Sequence, residues 1–211
     1  MQKKTTLRQI AFIFTFIFLS SCGQFSTVKK TTIDAEAMAL NDSAIALNIT
    51  FDQENTLKAI KLLDKATEID PDYYLAHWNK YVFLNELNKK EQAFETLKTL
   101  EKLSPENPEL LMASGVFYEN SGDSSTAIEK YQKANNIYQS ILDTTVNVGI
   151  QYSMLQSNRA INLILLGKKV EGREILEYLY KNEKDEAFKE MIQTFLTFSK
   201  QDFLDGKMNK K

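Results

Sequence analysis

A chain of 211 residues that is 43% hydrophobic and 26% charged holds enough apolar material for one sizeable core or one continuous stack of small units. The formal net charge of −2, with no basic stripe interleaved with aromatics, argues against a general nucleic-acid binder, and nucleic acid is dropped as a partner. Only seven glycines and three prolines interrupt a sequence rich in helix formers, so long helices are the expected content and the expected fold class is all-α.

Residues 1–21 read as a signal peptide. Lys3, Lys4 and Arg8 precede an apolar run from Ile10 to Leu19, which has the charge and length of a secretory segment and is short for a membrane span. Leu19-Ser20-Ser21-Cys22 follows and resembles the lipobox of bacterial lipoproteins, in which small residues admit a signal peptidase before a cysteine that becomes lipid-modified. An uncleaved anchor helix and an ordinary signal peptide are the alternatives. Cys22 is the only cysteine, stands directly behind the apolar run and has no disulfide partner in the chain, which points to lipid attachment at Cys22. Each buried methylene of an acyl chain contributes about 0.8 kcal/mol, so several chains hold a protein on a membrane durably. The processed chain carries 23 basic against 28 acidic side chains. Residues 22–32 are polar apart from Phe25 and Val28 and are expected to form a flexible tether. Gly23 is not the aspartate that resembles an inner-membrane retention signal, and no acidic cluster of the kind resembling surface-export signals follows Cys22. The expected location is therefore the cell envelope, on the outer membrane facing the periplasm.

From Ile33 to Leu204 the chain reads as a helical solenoid. Aligning Ala59-Ile60 with Ala93-Phe94 and Ala127-Ile128 gives two steps of 34 residues each. Leu63, Leu97 and Tyr131 fall four residues later, Ala66, Leu100 and Ala134 seven later, and Pro71 and Pro105 twelve later. Side chains at these intervals share one helix face, and that face must pack against something. Upstream of each alanine lies another helical stretch, separated from it by a break at Asp52–Asn55, Leu87–Gln92 and Asn120–Ser125.

A helix, a tight turn and a second helix with a period of 34 resemble the tetratricopeptide repeat. The clearest unit carries Gly115, Tyr118, Gly122, Ala127, Tyr131 and Ala134; His77 or Leu111 stands where that family usually has Trp, and Tyr81 replaces the glycine in the preceding unit. A fourth unit runs from Leu165 to Leu179, with Gly167 in its turn and Gly172, Leu176 and Leu179 as packing residues. Gly122 to Gly167 is 45 residues, eleven beyond the period, and Ile137, Tyr138, Ile141 and Leu142 continue the helical pattern, so two neighbouring helices are each expected to gain one to two turns and to protrude as a hairpin near 138–153. After Glu183 a single amphipathic helix with Phe188, Met191, Ile192, Phe195, Leu196 and Phe198 is the expected cap, and 205–211 a frayed tail. The resemblance implies a right-handed superhelix of about four helix-turn-helix units with a C-terminal capping helix.

Little in this chain points to catalysis. His77 is the only histidine, no second histidine or cysteine stands ready to share a metal, and no glycine-rich phosphate loop is visible, so no catalytic residue, metal or cofactor is expected and the chain is not read as an enzyme. In tetratricopeptide arrays the first helix of each unit lines a concave groove, and the resemblance implies a partner-binding groove of Asn48, Phe51, Leu75, Trp78, Val82, Asn85, Met112, Val116 and Glu119. Trp78, Val82 and Met112 read equally well as core between helices. Asn48 and Asn79 match the two asparagines of that family's clamp for a peptide carboxylate, but Ala44, Glu109 and Ala113 stand where its cations belong. The expected function is a membrane-anchored scaffold that binds a protein or peptide in assembling or maintaining an envelope complex. The alternative is a homo-oligomeric envelope lipoprotein acting through the lengthened hairpin.

Overall fold

The structure is a computed structural model that describes residues 32–49, 52–146 and 149–205. The expected signal peptide, Cys22, the tether up to Thr31, Phe51 and the tail beyond Asp205 lie outside the described residues. The described residues form ten helices and no strand, in two compact units that meet in sequence between Pro105 and Glu106.

The first unit contains α1 (Ala35–Asn48), α2 (Gln53–Ile69), α3 (Tyr74–Glu86) and α4 (Lys90–Leu103). Asp34 and Asp52 open α1 and α2 by accepting N–H bonds from Glu36 and Ala37, and from Glu54 and Asn55. Proline closes α2 and α4: Asp70 and Ser104, each just before a proline, leave the helical region because the following ring excludes it. These two stops lie one 34-residue period apart. The interior is built largely from small residues, with Ala37, Ala44, Ala59, Ala66, Ala76 and Ala93 packed around Leu63, Tyr73, Phe83 and Leu84.

The second unit contains α5 (Pro108–Asn120), α6 (Ser124–Thr144), α7 (Ile150–Leu165), α8 (Lys169–Asn182), α9 (Glu186–Thr197) and α10 (Lys200–Leu204). Gly115 lies against the Tyr131 ring and Gly172 against the Ala160 carbonyl, so a side chain at either would force the paired helices apart. In both units consecutive helices pack as neighbours.

One turn geometry recurs three times. Asn88, Gly122 and Gly167 adopt positive φ angles of 54°, 90° and 89°, the conformation Gly and Asn tolerate best. In each turn the next residue donates its N–H back five residues: Lys89 to Leu84, Asp123 to Tyr118 and Lys168 to Leu163, at 2.9, 2.9 and 2.8 Å. The spacings are 34 and 45, the repeat period and the expected separation of Gly122 from Gly167.

Bonds between first helices recur too. Within the first unit, Asn79 Nδ2 on α3 donates to Asn41 Oδ1 on α1 at 2.8 Å, and Asn48 Nδ2 donates to Glu86 Oε2 at 3.1 Å, both pairs 38 residues apart. Within the second, Asn158 Nδ2 on α7 lies 3.4 Å from Glu109 Oε1 on α5, a separation of 49. The difference is the eleven-residue insertion. Seven of those residues lengthen α6 relative to α4, three lengthen α7 relative to α3, and one lengthens the link between.

Two expectations change in detail. The lengthened α6 does not stand free along its whole extension, since Tyr138, Ile141 and Leu142 are buried while Val146 and Ile150 at the tip are exposed. The single capping helix is in fact two: the backbone extends at Phe198, and a capping box between Ser199 and Asp202 starts α10. The break lets Phe203 fold back onto Phe195 and Phe198, with ring centroids 6.3 and 5.5 Å away.

Candidate functional site

The residues expected to line a groove fall in both units, and each unit accommodates them differently. In the first, Leu75 is 41% exposed and Asn85 is exposed, whereas Trp78 is only 5% exposed and tilts against Tyr81 with centroids 5.8 Å apart. Val82 is half-buried against the first unit's core. Trp78 therefore belongs to the interior rather than to a wet surface. The two asparagines that match a carboxylate clamp are both engaged in internal bonds. Asn48 spans the Thr56 hydroxyl, which donates to it at 2.6 Å, and Glu86, whose carboxyl burial pushes up. Asn79 is held by Asn41. These amides staple helices, the way buried polar groups are normally satisfied. His77 Nε2 lies 2.8 Å from the Pro71 carbonyl, and burial holds the ring below its usual range.

In the second unit Met112 is buried and Val116 packs beside it in the same core as Phe203. Glu119, the last expected groove residue, is taken by the chain itself. Its Oε1 lies 2.6 Å from Lys200 Nζ, and its Oε2 accepts from the Tyr131 hydroxyl at 3.0 Å. The same ammonium sits 5.9 Å above the Tyr131 ring. Burial, then the Glu119 charge, raises the Tyr131 hydroxyl, so it stays a donor to that carboxylate. Asn120 Nδ2 completes the seat by donating to the Leu204 carbonyl at 2.9 Å, which caps the end of α10. Sequence reasoning missed Lys200, Phe203 and Tyr131 as parts of one arrangement. A signal for the first two was present in Ser199-x-x-Asp202, a capping box announcing a new helix.

A second polar cluster lies deeper in this unit. Glu109 is 1% exposed, and burial raises its carboxyl to about 7. Asn158 Nδ2 donates to it at 3.4 Å, and the buried Tyr138 hydroxyl neighbours it, its own titration raised by burial and by the Glu109 charge. An open cleft of about 330 Å³ between α7 and α8 is lined by Tyr152, Gln156, Arg159, Glu171, Glu174, Ile175, Tyr178 and Leu179. Its cation, Arg159, is paired with Glu171 at 3.4 Å. Among the described residues no group of three or more His, Cys, Asp or Glu side chains is placed to hold a metal, and no helix is long and apolar enough to cross a membrane. No protein-family model matches the chain, and no curated protein matches it.

Proposed function

We propose that the chain is a lipid-anchored scaffold of the cell envelope, built as a right-handed superhelix of about four tetratricopeptide-like units with a C-terminal cap, which binds a protein or peptide partner in assembling or maintaining an envelope complex. The observation that carries this reading is the turn repeated at Asn88, Gly122 and Gly167, with the same backbone bond at spacings of 34 and 45. A helical hairpin of this period cannot bury both faces alone and stacks on its neighbours, and stacks of this kind offer the first helix of each hairpin to a ligand. Leu75 and Asn85, exposed on α3, are what the first unit offers there. The anchor rests on the basic residues, apolar run and lone cysteine that open the sequence. No catalytic residue, metal or cofactor belongs to this reading.

The test is a photo-crosslinking amino acid placed at Leu75 or Asn85 of the full chain in its native envelope. One protein captured from both positions, and not from exposed Lys61 or Glu129 on second helices, is the expected result. Lack of a common product would remove the reading. For the anchor, Cys22→Ser is expected to leave an unprocessed precursor without labelled fatty acid, and a lipid-labelled variant would overturn it. The homo-oligomeric alternative draws on Val146 and Ile150, 73% and 44% exposed at the hairpin tip. Under it, shortening residues 144–152 abolishes self-association.

A further inference from the structure

We propose that the cleft between α7 and α8 is a binding site for an arginine side chain of a peptide partner. This deepens the scaffold reading and rests on it for the partner being a peptide.

The cleft measures about 330 Å³, at the lower end of the range for ligand sites, so it suits one long side chain rather than a large cofactor. Its lining decides the sign of charge it takes. Arg159, the only cation in that lining, is paired with Glu171, which leaves the Glu174 carboxylate uncompensated and the cleft acidic by one charge. An anion is therefore repelled. Two carboxylates also fall short of a metal site, since no third His, Cys, Asp or Glu joins them among the described residues.

The repeat register shows that this free carboxylate is particular to α8. Glu95, Glu129 and Glu174 each stand seven residues after a turn residue, Asn88, Gly122 and Gly167. On α4, Lys98 follows three residues on and pairs with Glu95 at 2.6 Å, and on α6, Lys133 follows Glu129 four residues on. At those two places α8 carries Glu177 and Tyr178. The lysine within the helix has given way to a second acid and an aromatic ring, and among the described residues Glu174 has no ion pair or hydrogen bond.

The remaining lining suits a planar cation on an apolar stem. Tyr178 is 64% exposed, and Tyr152 on the facing helix lies in the three residues by which α7 outruns α3. Ile175 and Leu179 supply apolar surface for methylenes. Gln156 donates to the Tyr152 hydroxyl at 2.8 Å and keeps an enclosed Oε1 without a partner, an acceptor that an incoming N–H reaches once this side chain turns toward the cleft. A guanidinium meets all of these at once, with charge for Glu174, a flat face for the tyrosine rings and five donors in a fork. Lysine brings the charge alone, as a strongly hydrated point.

The probe is the peptide acetyl-Ala-Arg-Ala-amide, titrated into the full chain and followed by the methyl NMR signals of Ile175. Saturable shifts are expected, at least threefold weaker binding with lysine in place of the arginine, and none with citrulline, which keeps the shape and loses the charge. Glu174→Gln combined with Tyr178→Ala should weaken binding by about tenfold with helix content unchanged, both side chains being exposed. Glu129→Gln, at the same register place on α6, should leave binding unchanged. An Ile175 signal that does not move, citrulline binding as well as arginine, or equal losses from the α6 and α8 variants overturns the proposal. Spermidine binding at least as tightly as the arginine peptide would assign the cleft to a free amine and overturn the peptide assignment. Failure of the envelope crosslinks with the arginine result intact would remove the scaffold reading alone.

Discussion

On the opening helix of the first unit, Asn41 meets Asn79; two 34-residue periods later, on the opening helix of the second, Glu109 fills the same register place and meets Asn158. Both side chains are buried, and both bridge to the first helix of the next hairpin. One pair is two neutral amides at 2.8 Å, and the other sets a carboxyl beside an amide at 3.4 Å with no cation near enough to lower it. The two units differ at their ends as well. α1 turns Ala37, Asn41, Ala44 and Asn48 inward and leaves Met38, Ile45 and Ile49 outward at 41%, 40% and 69% exposure, whereas the second unit closes under Phe188, Ile192, Phe195, Phe198 and Phe203. The contrast teaches that one register tolerates quite different side chains, provided each buried polar group has a partner or can become neutral.

The largest effect should come from breaking the closed end. Phe195→Ala removes a 1% exposed ring under Phe203, at a cost of about 3–5 kcal/mol, and urea unfolding followed by circular dichroism should show the second unit melting earlier. Trp78 is the only tryptophan and lies in the first unit, so its fluorescence follows that unit separately. A shift of less than about 1 kcal/mol would mean that the aromatic cap carries no stability.

Next in size is pH. The carboxyl of Glu109 titrates near 7 when folded and near 4.5 when free, so the folded state holds its proton over a range where the unfolded state has lost it. The stabilisation is full below about 4.5, falls as pH rises to about 7 and is constant above, a loss of roughly 3 kcal/mol. Glu109→Gln should flatten this dependence in the second unit and leave unchanged the pH dependence of the first, to which the raised Glu86 and the lowered His77 contribute. A slope unchanged by the substitution would locate the titration elsewhere.

Asn79→Ala leaves Asn41 buried without its donor and should destabilise the first unit by about 1–3 kcal/mol, with the Trp78 transition as the readout. The smallest effect belongs to the open end. Ile45→Ala should stay within about 0.5 kcal/mol, because the side chain is already 40% in solvent. A larger cost would show that something covers α1.

The pattern of helices was legible because Ala59, Ala93 and Ala127 mark a face that repeats, and because Gly122 and Gly167 stand where only a left-handed residue fits. Asn88 does the same work without being a glycine, and its role emerges only from counting back one period. The inward turn at Phe198 was hidden because the apolar rhythm of Phe195, Leu196 and Phe198 runs on as if the helix did. Glu109 was hidden for another reason: the resemblance set it on the groove face where a clamp's cation belongs, and burial depends on what lies across the interface. Trp78 illustrates the same limit, since helix position alone does not distinguish a groove from the core beneath it.

Of the eleven residues added between the turns at Gly122 and Gly167, seven lie in α6, close to two helical turns, three in α7, close to one, and one in the link. Because length enters in full turns, α6 and α7 reach further while their faces keep pointing the same way, and Asn158 still finds Glu109. Length and phase are therefore separable here. Removing or adding seven residues in α6 together with three or four in α7 would act as a change of reach, whereas deleting one residue would rotate everything beyond it by about 100° and bury the wrong side. The hairpin is an adjustable arm, and its natural unit of adjustment is the turn.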